Sequence, residues 1–181
     1  MTKDRLVLSS LLVLALFVGM GAGGGCKRVS SEPSLVSAAA GPAGYSWQSA
    51  TLANVGSYDL PNGDKWKKDG LGAENEDADI TVSVQLQGGV EAADRTEFTK
   101  LLVDANKRDA PKYEVVSQQE GQINNIAASK VDGKFDNGKA YATRDYVLFI
   151  NHVALAMMVR GPIAKQTDVQ AIADHIASSL K

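Results

Sequence analysis

Apolar positions fall into three regimes along the chain. Residues 6–20 are almost wholly apolar, residues 27–44 are a Ser/Ala/Gly/Pro stretch with no apolar period, and periodic segments begin at Tyr45. Residues 55–60 predict a first strand, ended by Pro61-Asn62-Gly63, where proline sets φ and Asn-Gly tolerates positive φ. Ile80, Val82, Val84 and Leu86 alternate with Thr81, Ser83 and Gln85, which predicts a strand with one buried face, closed by Gly88-Gly89. Asp94 and Glu97 stand at capping-box spacing before a helix whose Phe98, Leu101, Leu102 and Ala105 share one side. Pro111 prevents its continuation.

Beyond the helix, residues 113–116 predict a short strand. Ile123, Ala127 and Val131, with Ile126 and Ala128 on the other parity, predict another. Asp136-Asn137-Gly138 marks a tight turn. Residues 140–150 and 153–159 predict two long strands joined at Asn151-His152, the second apolar throughout and so covered on both faces. Gly161-Pro162 ends it. A last helix is expected over 168–180, with Thr167 as cap and Val169, Ile172, Ala173, Ile176 and Leu180 as its buried stripe. The order of strand, strand, helix, several strands and helix predicts an α+β fold, a mainly antiparallel sheet flanked by two principal helices. A doubly wound parallel sheet would need helices alternating with strands, and no internal repeat is present.

The N-terminal run reads differently. Lys3 and Arg5 precede about 15 apolar residues, whereas a helix crossing the bilayer needs ~20. Gly21, Ala22, Gly23, Gly24 and Gly25 follow, then Cys26, the single cysteine of the 181 residues. A positive start, a short apolar stretch and a small-residue exit predict a cleavable signal over residues 1–25. Gly24-Gly25-Cys26 resembles the lipobox of bacterial lipoproteins, in which small residues precede an obligatory cysteine; Gly23 stands where that family usually has Leu. The resemblance implies that Cys26 is the lipidation site, carrying a thioether-linked diacylglycerol and an acylated amino group of the palmitate kind. Since Lys27 is not the Asp that retains such proteins in the inner membrane, it implies an outer-membrane address facing the periplasm. Residues 26–44 are then the lipidated cysteine and a flexible linker, reaching roughly 25 Å as a coil, and residues 45–181 the globular domain. Lys27 and Arg28, beside the headgroups, each add on the order of 1 kcal/mol on an anionic surface.

Composition narrows the function classes. The chain is 44% hydrophobic and 22% charged with a net charge of −2, and loss of Lys3, Asp4 and Arg5 makes it one charge more negative. No basic patch suggests nucleic acid as a partner. With one cysteine there is no intramolecular disulfide. Of the two histidines, His175 sits in the last helix beside Asp174 and reads as a boundary residue, and His152 reads as a turn residue; neither has partners spaced for catalysis or metal binding. The acidic run Glu74-Asn75-Glu76-Asp77-Ala78-Asp79 lacks the glycine of a calcium loop and reads as solvated, with Glu76, Asp77 and Asp79 the candidates for any cation. Met157 and Met158, in an apolar strand, read as core filler. Gly70-Leu71-Gly72 is an isolated Gly-x-Gly, and no nucleophile elbow, phosphate loop or dinucleotide fingerprint occurs.

Tyr58-Asp59-Leu60-Pro61 with Trp66, and Ile172, Ile176, Ser179 and Leu180 near the end, resemble the opening and closing stretches of the PsbP/DcrB-like superfamily over residues 45–181. Trp66 comes later after Pro61 than is usual there, because Asp64 and Lys65 intervene. The resemblance implies a non-enzymatic binding or assembly module with no catalytic residues to carry over. The expectation is therefore a lipid-anchored, non-catalytic envelope protein with a protein partner and no cofactor or metal. The alternatives are a small-ligand carrier with an apolar pocket between helix and sheet, or a hydrolase without a recognisable motif.

Overall fold

The computed structural model describes residues 32–36 and 41–181; the signal segment, Cys26 and half of the linker lie outside the described residues. The first strand, β1 (Ser46–Leu52), forms an antiparallel hairpin with β2 (Gly56–Asn62). Then come β3 (Lys67–Asp69), β4 (Gly72–Asn75), β5 (Ile80–Gly88), α1 (Arg95–Asp109), β6 (Glu114–Ile123), β7 (Ile126–Asp136), β8 (Ala140–Ile150), β9 (Val153–Pro162) and α2 (Gln166–Ser178). The last seven strands make one antiparallel sheet in the order β3-β4-β5-β9-β8-β7-β6.

Tight turns explain this order. Asn124 and Asn125 both take positive φ between β6 and β7, as do Asn151 and His152 between β8 and β9. Two consecutive left-handed residues match the twist of a hairpin, and Asn tolerates that region well. The period-two reading across residues 123–131 is corrected here, because the Asn pair splits that stretch into the end of one strand and the start of the next.

Strand pleating gives the sheet two faces. Leu148, Leu155, Met157, Val159, Val82 and Ile80 meet Val169, Ile172, Ile176 and Leu180 of the α2 region, with Leu52, Tyr58 and Leu60 of the β1–β2 hairpin closing the same core. On the other face α1 packs against β7, and Phe98 meets Phe149 edge to face at 6.1 Å. Apolar β9 is thus buried on both sides over most of its length.

Helix starts are also corrected. Asp94 does not cap α1; a 3-10 turn over Ala92–Asp94 leads straight into the helix, and Glu91 N–H donates to Asp94 Oδ2 at 3.2 Å. Thr167 lies inside α2, which begins at Gln166 after a 3-10 turn over Ile163–Lys165. Before α1 the Glu91–Asp94 capping box sits on the 3-10 turn, one turn ahead of the expected start, whereas before α2 the turn alone supplies the entry geometry. Among the described residues no helix is long and apolar enough to cross a membrane.

Five residues of the segment read as linker are seated on this unit. Leu35 N–H donates to Gln122 O, and Gln122 N–H donates to Pro33 O, both at 3.0 Å, so the segment lies parallel to the end of β6. Arg95 grips Glu32 bidentately at 2.8 and 3.1 Å, and Leu35 is buried in the α2-side core. Gly121 permits this approach, since a Cβ there would come within 2.2 Å of Pro33 O. Composition alone hid this docking, because one apolar side chain and one ion pair leave no periodic trace.

Candidate functional site

Each residue singled out from the sequence has a definite place. His152 is exposed at the β8–β9 turn, with its Nδ1 against Glu91 Oε1. His175 projects from α2 beneath Trp47, ring centroids 3.9 Å apart, with Nε2 3.4 Å from Asp59 Oδ2. The two histidines are not brought together. Ser179, one turn beyond His175, donates its hydroxyl to Ile176 O at 2.8 Å and accepts from Asp59 N–H at 2.9 Å. The acidic run is dispersed by ion pairs: Glu76 with Lys67, Asp77 with Lys65, and Asp79 with Lys139 and Tyr141. Burial acts to raise the Asp79 carboxyl, but hydrogen bonds from Lys139 and Tyr141 outweigh it and hold its pKa below the usual value. Among the described residues no group of three His, Cys, Asp or Glu side chains could hold a metal ion. Met157 is core, and Met158 sits half-buried on the opposite face. Gly70 and Leu71 form the turn between β3 and β4, with Gly72 opening β4 and Leu71 O accepting from Tyr58 Oη.

Two polar clusters escaped sequence reading. On the α2 face, Arg144 donates to Asp132 at 2.6 and 3.0 Å and to Asp174 at 2.9 and 3.0 Å; Tyr146 and Ser117 complete it at 2.7 and 2.9 Å. Burial acts to raise the Asp132 carboxyl, but Arg144 outweighs it and leaves it lowered. On the α1 face, Asp145 is 2% exposed and accepts from Asn106 Nδ2 at 2.9 Å. Burial, only partly offset by that bond, pushes its pKa up to about 7. Gly133 leaves room there for Tyr113, whose Oη would come within 2.4 Å of a Cβ. The available signal was Arg144-Asp145 itself, two charges in mid-strand that pleating must send to opposite faces.

Two surfaces are shaped for binding. The first is a cleft of about 430 Å³ lined by Tyr45, Trp66, Asn75, Asp64, Lys65, Asp77 and Lys165. Tyr45 stands 6.1 Å from Trp66 and 6.3 Å from Trp47, so an aromatic row runs from the cleft to His175. The second is the outer edge of β6. Gln122 turns its N–H and C=O outward to the 32–36 segment, so by the two-residue repeat Glu120 and Gln118 also face outward. Pro33 has no N–H to donate to Glu120, which stops the parallel pairing there. Val116 is 60% exposed on this edge, beside a bulge between Val115 and Ser117.

No protein-family model matches the chain, and no curated protein matches its sequence. Solved structures do match it, and they define the class: an α+β domain with a PsbP-like fold. Cyanobacterial PsbP (CyanoP) from Synechocystis sp. PCC 6803 aligns over 90% of this chain and 98% of its own, at 12% identity and a TM-score of 0.52. LpqN of Mycobacterium tuberculosis, involved in cell envelope biogenesis, aligns over 74% of this chain and 88% of its own, at 15% identity and a TM-score of 0.52. At these identities the likeness is one of fold.

Proposed function

We propose that this chain is a lipid-anchored, non-catalytic protein of the cell envelope, held at the outer membrane through Cys26, that binds a protein partner by strand addition at β6. The β6 edge beyond Gln122, which none of the described residues pairs with, carries this reading. An extended partner segment can bond to the outward groups of Gln118 and Glu120, while exposed Val115 and Val116 supply apolar contact. The lipobox-like Gly24-Gly25-Cys26 supports the anchor, and the envelope role of LpqN, a protein of similar fold, is in keeping with the address.

The carrier alternative calls for an apolar cavity between helix and sheet. That space is filled by Leu148, Leu155, Met157, Ile172 and Ile176, all at most 1% exposed, which favours the protein-binding reading.

The test is complementation of a deletion strain. Cys26→Ala is expected to abolish palmitate incorporation and membrane association. Gln118→Pro, which removes an outward donor and leaves the β7 ladder intact, is expected to lose function at unchanged abundance. His152→Ala and His175→Ala are expected to complement. Palmitate labelling that survives Cys26→Ala sinks the anchor, and full function of Gln118→Pro sinks the edge.

A further inference from the structure

The cleft beside β2 and β4 is independent of the strand edge and the lipid, and its chemistry names a ligand. Asn75, at the end of β4, is 6% exposed, and its Oδ1 accepts from Ala78 N–H at 3.0 Å. Its Nδ2 has no hydrogen-bond partner among the described residues although the residue lines the cleft. A carboxamide nitrogen carries two donors; Nδ2 is not sealed from solvent, so water meets them in the free protein and a ligand oxygen entering the cleft can take that place. Tyr45 and Trp66 form an angled wall, their planes 56° apart, with both rings half-buried. Such rings offer an apolar face to C–H groups.

The charged groups narrow the ligand further. Two carboxylates, Asp64 and Asp77, and two ammoniums, Lys65 and Lys165, line the same space, and Asp77 and Lys65 are loosely paired at 3.8 Å. An anion would meet the two carboxylates and a cation the two ammoniums. A wholly apolar ligand would displace water from the Asn75 donors without replacing its hydrogen bonds. A neutral ring with apolar faces and hydroxyl edges fits this lining, since it accepts from Asn75 and the lysines and donates to the aspartates.

We infer that the Tyr45–Trp66–Asn75 cleft is a binding site for neutral saccharide. The rings stack on the sugar's C–H face, Asn75 Nδ2 donates to a hydroxyl or ring oxygen, and Asp64 and Asp77 accept at the rim. The volume is at the lower end of small-ligand sites, which suits two or three sugar rings partly open to water.

Isothermal titration calorimetry of the full chain in a non-glycosidic detergent, with chitotriose, cellotriose and maltotriose as probes, tests this. At least one probe is expected to bind with a Kd of about 1 mM or below. Trp66→Ala and Tyr45→Ala are expected to weaken that probe at least ~10-fold, for loss of the stacking wall. Asn75→Asp keeps the acceptor for Ala78 N–H and deletes the donors, so it is expected to weaken binding at least ~10-fold without moving the melting temperature. Absence of heat with all three probes overturns the inference. So does affinity unchanged in Asn75→Asp and Trp66→Ala, which would place any sugar elsewhere.

Discussion

The two faces of the sheet meet charge in opposite ways. On the α2 face Arg144 is embedded between two carboxylates and a tyrosine, so every charge has a partner and the Asp132 carboxyl ends below its usual pKa. One residue on, on the α1 face, Asp145 is buried with Asn106 as its hydrogen-bond donor, and its pKa rises to about 7. The α2 core is also larger, since α2 and the β1–β2 hairpin close over it together. Burial opposes ionisation on both faces; what differs is whether a cation was buried alongside. One face therefore stabilises the charged form of its carboxylate and the other the neutral form.

The largest expected effect breaks the apolar half of this contrast. Ile176→Ala on the α2 face should cost about 3–5 kcal/mol, and Leu102→Ala on the α1 face about 2–3 kcal/mol, read by urea denaturation. Equal losses would mean that the two cores are equally well packed. Next, Arg144→Met should cost about 3 kcal/mol, because Asp132 and Asp174 lose their cation. Its stability should fall less steeply below pH 3.8 than that of the parent, because the lowered pKa of Asp132 contributes stability above that value that is lost on acidification.

Asp145 sharpens the contrast with the opposite sign. Its folded pKa lies above its ordinary value of 3.8, so from there to about 7 the folded state keeps a proton that the unfolded state has lost. Stability from this group therefore falls as pH rises through that window, by on the order of a few kcal/mol, and is level above it. Asp145→Asn should match the parent near pH 4, exceed it by about 1–3 kcal/mol at pH 8, and lose this sloping contribution, as denaturation across pH shows.

Smaller effects follow at the edge. Leu35→Ala should cost about 1–2 kcal/mol, since the side chain is buried but attached through a short segment. Val116→Lys should change stability by less than about 0.5 kcal/mol, while a pull-down of the partner loses it, separating an edge used for binding from one used for packing.

Much of this molecule was legible before folding. The period-two run at residues 80–86, the long strand expected over 140–150, the continuous apolar run of β9, and the stripe of α2 announced the elements and the α+β class, because burial on one or both faces writes itself into the pattern of apolar positions. The acidic run and the histidines read as ordinary surface and boundary groups, and they lie at the β4–β5 turn, the β8–β9 turn and the border of α2. Short or polar pieces were not legible. β1, β3 and β4 carry little apolar pattern, the docked 32–36 segment is held by one ion pair and one leucine, and the split of β6 from β7 rests on two asparagines. Strand order was decided only in three dimensions. It placed Arg144 between Asp132 and Asp174, left Asp145 with Asn106, and brought Tyr45, Trp66 and Asn75 around one cleft. Periodicity reports which side of an element is buried, whereas the partner that makes a buried charge stable or a cleft selective comes from a distant strand, and only the closed fold brings it near.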